Sequence, residues 1–455
     1  MNPNLTPLLL DDAQYCWHPF TQMKTASTPL AVVRGEGEFL WDEQGRRYFD
    51  GVSSWWVNLH GHSHPAIAKA IADQARTLEH AMFAGITHPP AVALAKALIE
   101  RSPPPMAKVF FSDNGSTAIE VALKMVFQYW QNQGQPQRRR IIALEGGYHG
   151  DTFGAMAAGR SSGFYDPFKP WLFEVDFLPA APIDTLGTSA ATEEASLKAL
   201  DRLLNPIEGQ ALPAALILEP LVQGASGMRM MRAEHVAALC RRAQQAGVLV
   251  IFDEVFTGFG RTGTLFAADA IATYGGQADL ICLSKGLTGG FMPMAVTLTS
   301  QAVYDAFLSD NVHHALLHGH SYTANPLGCA AALASLALLN EPATQARMAD
   351  IASTHERWLA TLRSHPAVEN PRRCGTIAAF ELKSRQNNYG SSVSQWIRET
   401  GLQLGLLLRP LGNTVYWVPP YCTSVDTLDW AYTALLTLID RWTQHNAPDT
   451  GSELF

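Results

Sequence analysis

The chain has 455 residues, of which 47% are hydrophobic and only 16% charged, with a formal net charge of -8. That length exceeds one small core and suits a large domain with a smaller companion, and a charged share below the roughly 25% usual for soluble domains implies cover inside large domains or at a subunit interface. An acidic balance without a basic stripe argues against nucleic acid as a partner, and six scattered cysteines (Cys16, Cys240, Cys282, Cys329, Cys374, Cys422) with no CxxC pair fit reduced thiols in the cytoplasm, not a disulfide frame or a zinc site.

The N-terminal stretch has no basic segment ahead of its short apolar run, so no signal peptide is expected. Residues 32–50 read as a hairpin-like β unit turning at Glu43-Gln-Gly45. From about 65 to 340, short apolar runs alternate with helical patterns. The clearest runs are 109–112, 141–144, 214–219, 248–253 and 280–283, and the clearest helices are 116–130 and 233–245. That alternation predicts an α/β fold with a mainly parallel sheet covered on both faces. The longest apolar run, 327–339, is too short for a bilayer, which needs about 20 residues, and reads as a buried helix. From about 341 the pattern returns to helix plus strand, with Gly412-Asn-Thr-Val-Tyr-Trp-Val-Pro-Pro420 a strand stopped by prolines. The organisation expected is a small α+β domain drawn from both chain ends, 1–64 and 341–455, around a large domain over 65–340.

Ligands of open α/β sheets lie at the carboxyl ends of strands, and five such ends carry polar residues. Val248-Leu-Val-Ile-Phe-Asp253 ends in a carboxylate, and Leu280-Ile-Cys-Leu-Ser-Lys285 ends in an amine. An amine that can form a Schiff base, facing a carboxylate that can keep a pyridine nitrogen protonated, is what pyridoxal 5'-phosphate chemistry requires. A structural ion pair is the other reading of a buried Asp253.

The remaining ends admit two readings each. Ser112-Asp-Asn-Gly115-Ser116-Thr117 opens a helix and is either a phosphate cup or an ordinary N-cap. Tyr148, among glycines, can lie on a heteroaromatic ring or simply pack in a turn. Glu219 and Gln223 follow another apolar run; Gln223 can donate to a cofactor's phenolic oxygen or merely close a turn. His149 reads as structural. The histidine-rich stretches 60–64 and 313–320 lack supporting carboxylates or cysteines, so no metal is expected.

Phe252-Asp-Glu-Val-Phe-Thr-Gly-Phe-Gly-Arg-Thr-Gly263 with Leu283-Ser-Lys-Gly-Leu-Thr-Gly-Gly290 resembles the class III pyridoxal-phosphate-dependent aminotransferases of fold type I. The resemblance extends through Trp17-His-Pro-Phe-Thr-Gln-Met, Asp50-Gly-Val-Ser-Ser-Trp-Trp, Met82-Phe-Ala-Gly-Ile-Thr-His, Gly147-Tyr-His-Gly-Asp-Thr-Phe-Gly, Val222-Gln-Gly-Ala-Ser-Gly-Met and Leu408-Arg-Pro-Leu-Gly. It implies that Lys285 carries the cofactor, Asp253 pairs with its ring nitrogen, Gly115 and Ser116 hold its phosphate, and Tyr148 stacks near the ring and touches substrate. Trp55 would line the substrate channel with Phe20 nearby, and Arg409 would grip a long-chain keto-amino acid by its carboxylate. Gly319, His320 and Ser321 would reach the neighbouring subunit's site in a homodimer, with Ser321 on its phosphate. The implied reaction carries an amino group from S-adenosylmethionine to 8-amino-7-oxononanoate, a step of biotin synthesis. Two positions depart from the commoner family pattern, Phe20 where many members carry Tyr, and His320-Ser321 where many carry Pro-Thr. They leave lysine open as the amino donor, and another class III ω-amino acid transaminase is the alternative activity.

Overall fold

The computed structural model describes residues 5–159, 165–183, 189–384 and 392–445; the first four residues of the N-terminal stretch lie outside them. Among the described residues, sixteen strands follow one another along the chain. Three open it, β1 (Val32–Glu36), β2 (Phe39–Asp42) and β3 (Arg47–Asp50). Next come β4 (Met106–Ser112), β5 (Ile141–Leu144), β6 (Val175–Leu178) and β7 (Ala215–Leu218), then a short ribbon of β8 (Val222–Gln223) and β9 (Arg229–Met230). The central run closes with β10 (Leu249–Asp253), β11 (Leu280–Leu283) and β12 (Ala295–Ser300). The last four are β13 (Val368–Cys374), β14 (Ile377–Leu382), β15 (Leu406–Leu407) and β16 (Thr414–Trp417).

The large sheet has the order β4-β12-β11-β10-β7-β5-β6. Its pairs are parallel except where β12 runs against both β11 and β4. Alternation along each central strand divides its apolar residues between two cores. Val250 and Phe252 face one core with Ile142, Leu144, Leu216 and Leu218. Leu249 and Ile251 face the other with Ile141, Ala143, Ala215 and Ile217. The helix Ala233–Gln245 covers the first face through Val236, Leu239 and Cys240, and Gly115–Asn132 covers the second through Ala118, Ile119 and Ala122. Both faces are therefore dry, which is why these strands read as unbroken apolar runs. The expected fold class and the helix over 233–245 match the structure.

The apolar run 327–339 lies in the helix Pro326–Leu339, largely buried against the helices Pro65–Thr77 and Pro89–Arg101. No single helix among the described residues is long and apolar enough to cross a membrane. Two smaller sheets complete the fold, β13-β14-β16 and β1-β2-β3-β15. The second joins the chain's two ends, because β15 pairs in parallel with β3, Leu406 opposite Phe49 and Leu407 opposite Asp50.

Candidate active site

Five carboxyl ends of the large sheet open on one cavity of about 580 Å³, and Lys285, Asp253, Tyr148, Gly115, Ser116, Trp55, Phe20 and Arg409 all line it. Its inner end is charged and enclosed. Lys285 begins a 3-10 turn directly after β11, with φ at 43°. Its Nζ lies 4.6 Å from the Trp56 ring and 5.7 Å from Phe256. Burial pushes the amine down from an ordinary 10.5 to about 8, against the pull of Asp253, Glu219 and Asp151. It has no hydrogen-bonded or ion-paired partner among the described residues, and its lowered pKa makes the neutral, nucleophilic amine far easier to reach than for a solvated lysine.

Asp253 ends β10, buried, with Oδ1 accepting the Val255 N–H at 3.1 Å and Oδ2 2.7 Å from His149 Nδ1. His149 is itself buried, and its Nε2 has no partner among the described residues. Glu219 follows β7, where its carboxylate accepts the Tyr148 and Gly224 N–H groups at 3.0 Å each. Burial raises it to about 7. The Tyr148 ring lies nearly parallel to Tyr165, 6.4 Å away. Its hydroxyl donates to Asp151 at 2.9 Å and is pushed up by burial and by that carboxylate.

Opposite them, Asn114 caps the helix Gly115–Asn132. Its side chain takes the Thr117 N–H at 3.1 Å and its carbonyl takes that of Ala118. The N–H groups of Gly115 and Ser116 take no partner among the described residues, and they stand at the positive end of an 18-residue helix. The backbone is drawn in tightly here. A Cβ on Gly115 would lie 2.6 Å from Val255 Cγ1, and one on Gly150, whose φ is 124°, would meet Ser116 Oγ at 2.1 Å. An anion cradle, an enclosed amine and a buried carboxylate on one wall fit pyridoxal phosphate. Asn114 is the cap, and the donors of Gly115 and Ser116 follow it on the cavity lining.

The outer end is aromatic. The Arg409 guanidinium lies 3.8 Å over the Trp55 ring, and Phe20 meets the same ring edge-on at 5.6 Å and 71°. Trp55 is held out by an unusual backbone, because Ser53, Ser54, Trp55 and Trp56 all have positive φ, between 45° and 74°. Each such residue costs about 1–2 kcal/mol without glycine's freedom, so the surroundings must hold the turn in place.

Four of the expected site residues lie outside the lining of this cavity. Gln223 is buried with its amide donating to the Glu145 carbonyl at 3.0 Å. Gly319, His320 and Ser321 lie on a loop whose Gly319 and Ser321 are exposed beside the exposed Leu317 and Tyr322. Sequence reasoning missed the part of His149 in holding Asp253 and the place of Asp151 on the cavity wall. Both flank Tyr148 at a strand end, which was the available signal. No group of His, Cys, Asp and Glu that could hold a metal ion exists among the described residues.

A family model described as aminotransferase class-III matches residues 21–439. The adenosylmethionine-8-amino-7-oxononanoate aminotransferase of Synechococcus elongatus is 50% identical over 429 residues, covering 94% of this chain and 99% of that protein. The protein of the same name from Geobacter sulfurreducens is 39% identical, covering 92% and 94%. Among solved structures, the adenosylmethionine-8-amino-7-oxononanoate aminotransferase of Methanocaldococcus jannaschii matches with a TM-score of 0.88 at 33% identity, covering 95% of this chain and 98% of that one. An omega transaminase of Pseudomonas jessenii, in complex with PMP, matches with a TM-score of 0.89 at 28% identity, covering 98% and 100%.

Proposed function

The chain belongs to the class III aminotransferase family, and on that premise we propose that it moves an amino group from S-adenosylmethionine to 8-amino-7-oxononanoate, giving 7,8-diaminononanoate in biotin biosynthesis. The observation that carries this reading is the two-ended cavity, with Lys285 and Asp253 inside and Arg409 stacked on Trp55 outside. A keto group enters the inner end while a distant carboxylate meets the guanidinium, which binds it in a two-point fork.

Pyridoxal 5'-phosphate supplies the carbonyl that receives the amino group and the ring that stabilises charge left on carbon. The chain does the rest. Gly115 and Ser116 hold the phosphate, and Asp253, oriented by His149, keeps a proton on the ring nitrogen. Lys285, its pKa lowered by burial, takes a proton from the donor's α-carbon and later returns one to the product. Asp151 and the Tyr148 hydroxyl offer a negative, hydrogen-bonding wall to a substrate ammonium. The aromatic faces of Trp55, Trp56 and Tyr148 accept unlike substrates in turn, since they give apolar area without a strict hydrogen-bond pattern.

The exposed loop carrying Gly319, His320 and Ser321 supports a homodimer in which Ser321 reaches the phosphate of the other subunit. Six cysteines, none paired, suit the cytoplasm.

The test is to incubate purified holoenzyme and 8-amino-7-oxononanoate with S-adenosylmethionine or with lysine, and to measure 7,8-diaminononanoate. Product with S-adenosylmethionine supports the reading. Product with lysine alone reassigns the donor, and a preference for simple ω-amino acids over the keto-amino acid overturns it. The likeness to an omega transaminase makes that last arm the informative control.

A further inference from the structure

Trp55 and Trp56 are adjacent, yet they serve opposite ends of the cavity. Trp55 lies under the Arg409 guanidinium at 3.8 Å, and Trp56 lies by the Lys285 amine at 4.6 Å. Only the run of positive φ from Ser53 to Trp56 turns neighbouring side chains to those two places. The run is held by the Ser53 hydroxyl, which donates to the Val418 carbonyl at 2.6 Å, by Trp56 Nε1, which donates to the Tyr416 hydroxyl at 3.1 Å, and by one carboxylate that takes both bonds from Ser54. Asp50, fully buried at the end of β3, accepts the Ser54 N–H at 3.0 Å on Oδ1 and the Ser54 hydroxyl at 2.7 Å on Oδ2. His62 Nε2 meets the same Oδ2 at 2.9 Å.

His62 is fixed in turn. Its Nδ1 lies 3.0 Å from Asn58 Nδ2, and its backbone exchanges two hydrogen bonds with Gly37 between β1 and β2. The Lys285 turn presses on the same segment. A Cβ on Gly286 would lie 2.9 Å from Leu59 Cδ1, and one on Gly290 would lie 2.9 Å from Asn58 Cα. A relaxation of the left-handed turn therefore has no room to leave Lys285 undisturbed.

We propose that Asp50 is a positioning residue for both ends of the cavity, acting through the left-handed turn that it holds. It touches neither substrate nor cofactor. It fixes Trp55 under Arg409 and Trp56 beside Lys285 in one piece, so that carboxylate grip and amine placement rise and fall together. The inference rests on the proposed function only for the identity of the acceptor.

The test compares Asp50→Asn, Trp55→Ala and the double variant. Two readouts are taken: the KM for 8-amino-7-oxononanoate, and the rate at which the full-length chain, freed of cofactor, captures pyridoxal phosphate, followed by absorbance. Asp50→Asn is expected to raise the acceptor KM by about three- to tenfold, the range of a lost cation–π support, and to slow capture as well. Trp55→Ala is expected to raise the KM alone. In the double variant the KM effects should not multiply, because both act through one contact. An Asp50→Asn protein that keeps both quantities within about twofold of wild type, or KM effects that multiply, overturns the proposal. Should Asp50→Asn not fold, Ser54→Ala and His62→Gln each remove one of the carboxylate's bonds and must show the same paired change in smaller measure; a change in only one readout overturns it. A wild-type enzyme that ignores 8-amino-7-oxononanoate refutes the proposed function, while the capture rates still decide the role of Asp50.

Discussion

The inner end of the cavity grows from the carboxyl edge of a seven-stranded sheet, whereas the outer end grows from a two-strand corner of a four-stranded one. At the inner end, Asp253 and Lys285 follow adjacent parallel strands buried on both faces, and the Asp253 and Glu219 carboxylates are bonded inward. At the outer end, Asp50 and Leu407 are opposite one another on β3 and β15, and Trp55 and Arg409 emerge just beyond them. There the side chains are partly exposed and hold one another by aromatic contact. Both sites use strand ends, but only the inner one is embedded in a large core. On the proposed function, the chemistry thus belongs to the deepest part of the fold, and substrate choice to a corner that stitches the chain's two ends together.

If that division is right, inner substitutions stop turnover and outer ones redistribute it among substrates. Lys285→Ala carries the largest expected effect, a fall in turnover of about 10²–10⁴-fold, the range of a lost proton-transfer group, measured as product formed per cofactor-loaded site. Asp253→Asn comes next, at about 10²-fold, because an amide cannot hold a proton on the ring nitrogen. His149→Gln should fall between wild type and Asp253→Asn, since Asp253 keeps its Val255 N–H but loses its orienting ring. A His149→Gln rate equal to wild type would make that histidine mere packing.

The enclosed amine also fixes a pH dependence. Its folded value of about 8 lies below the ordinary 10.5, so between those values the unfolded chain binds the extra proton. In the cofactor-free protein this group then makes stability rise with pH across that window, and contributes no slope below it. Capture of pyridoxal phosphate should rise through a midpoint of about 8, because only the neutral amine attacks. A midpoint near 10 would mean that the amine is solvated and the enclosure of the inner end is illusory.

Most of the inner end was legible in the sequence. Strands buried on both faces leave unbroken apolar runs, so the ends at Asp253 and Lys285 stand out, as do the polar segments after β4, β5 and β7. β12 was not legible. It is wholly buried, but Thr297 and Thr299 interrupt its apolar run, and Thr297 is accommodated by donating to the Ala118 carbonyl at 2.9 Å. The turn at Ser53–Trp56 was equally hidden, because no glycine marks its positive φ values; they are held by the bonds of Ser54 to Asp50, four residues earlier, and by the Ser53 hydroxyl on the distant Val418 carbonyl. The resemblance pointed to Trp55 and Arg409, yet their contact follows from the β3–β15 pairing, which joins residues far apart in the chain.

Arg409→Ala should move outer-end behaviour alone, raising the acceptor KM by about ten- to a hundredfold for a lost charged hydrogen-bond pair, with the donor half-reaction little changed. Equal loss in both half-reactions would show that Arg409 braces the fold. The smallest effect belongs to Phe20. Its ring meets the Trp55 edge at 5.6 Å and lines the cavity with Pro19. Phe20→Tyr keeps the ring contact and adds one hydroxyl near the substrate. A partly exposed hydrogen bond is worth about 0.5–1.5 kcal/mol, so KM values should shift no more than about tenfold. The direction matters more than the size. If Phe20 tunes donor choice, the variant changes the ratio of kcat/KM between S-adenosylmethionine and lysine while turnover at saturation stays near wild type. A uniform drop with both donors would place Phe20 among the residues that merely support Trp55.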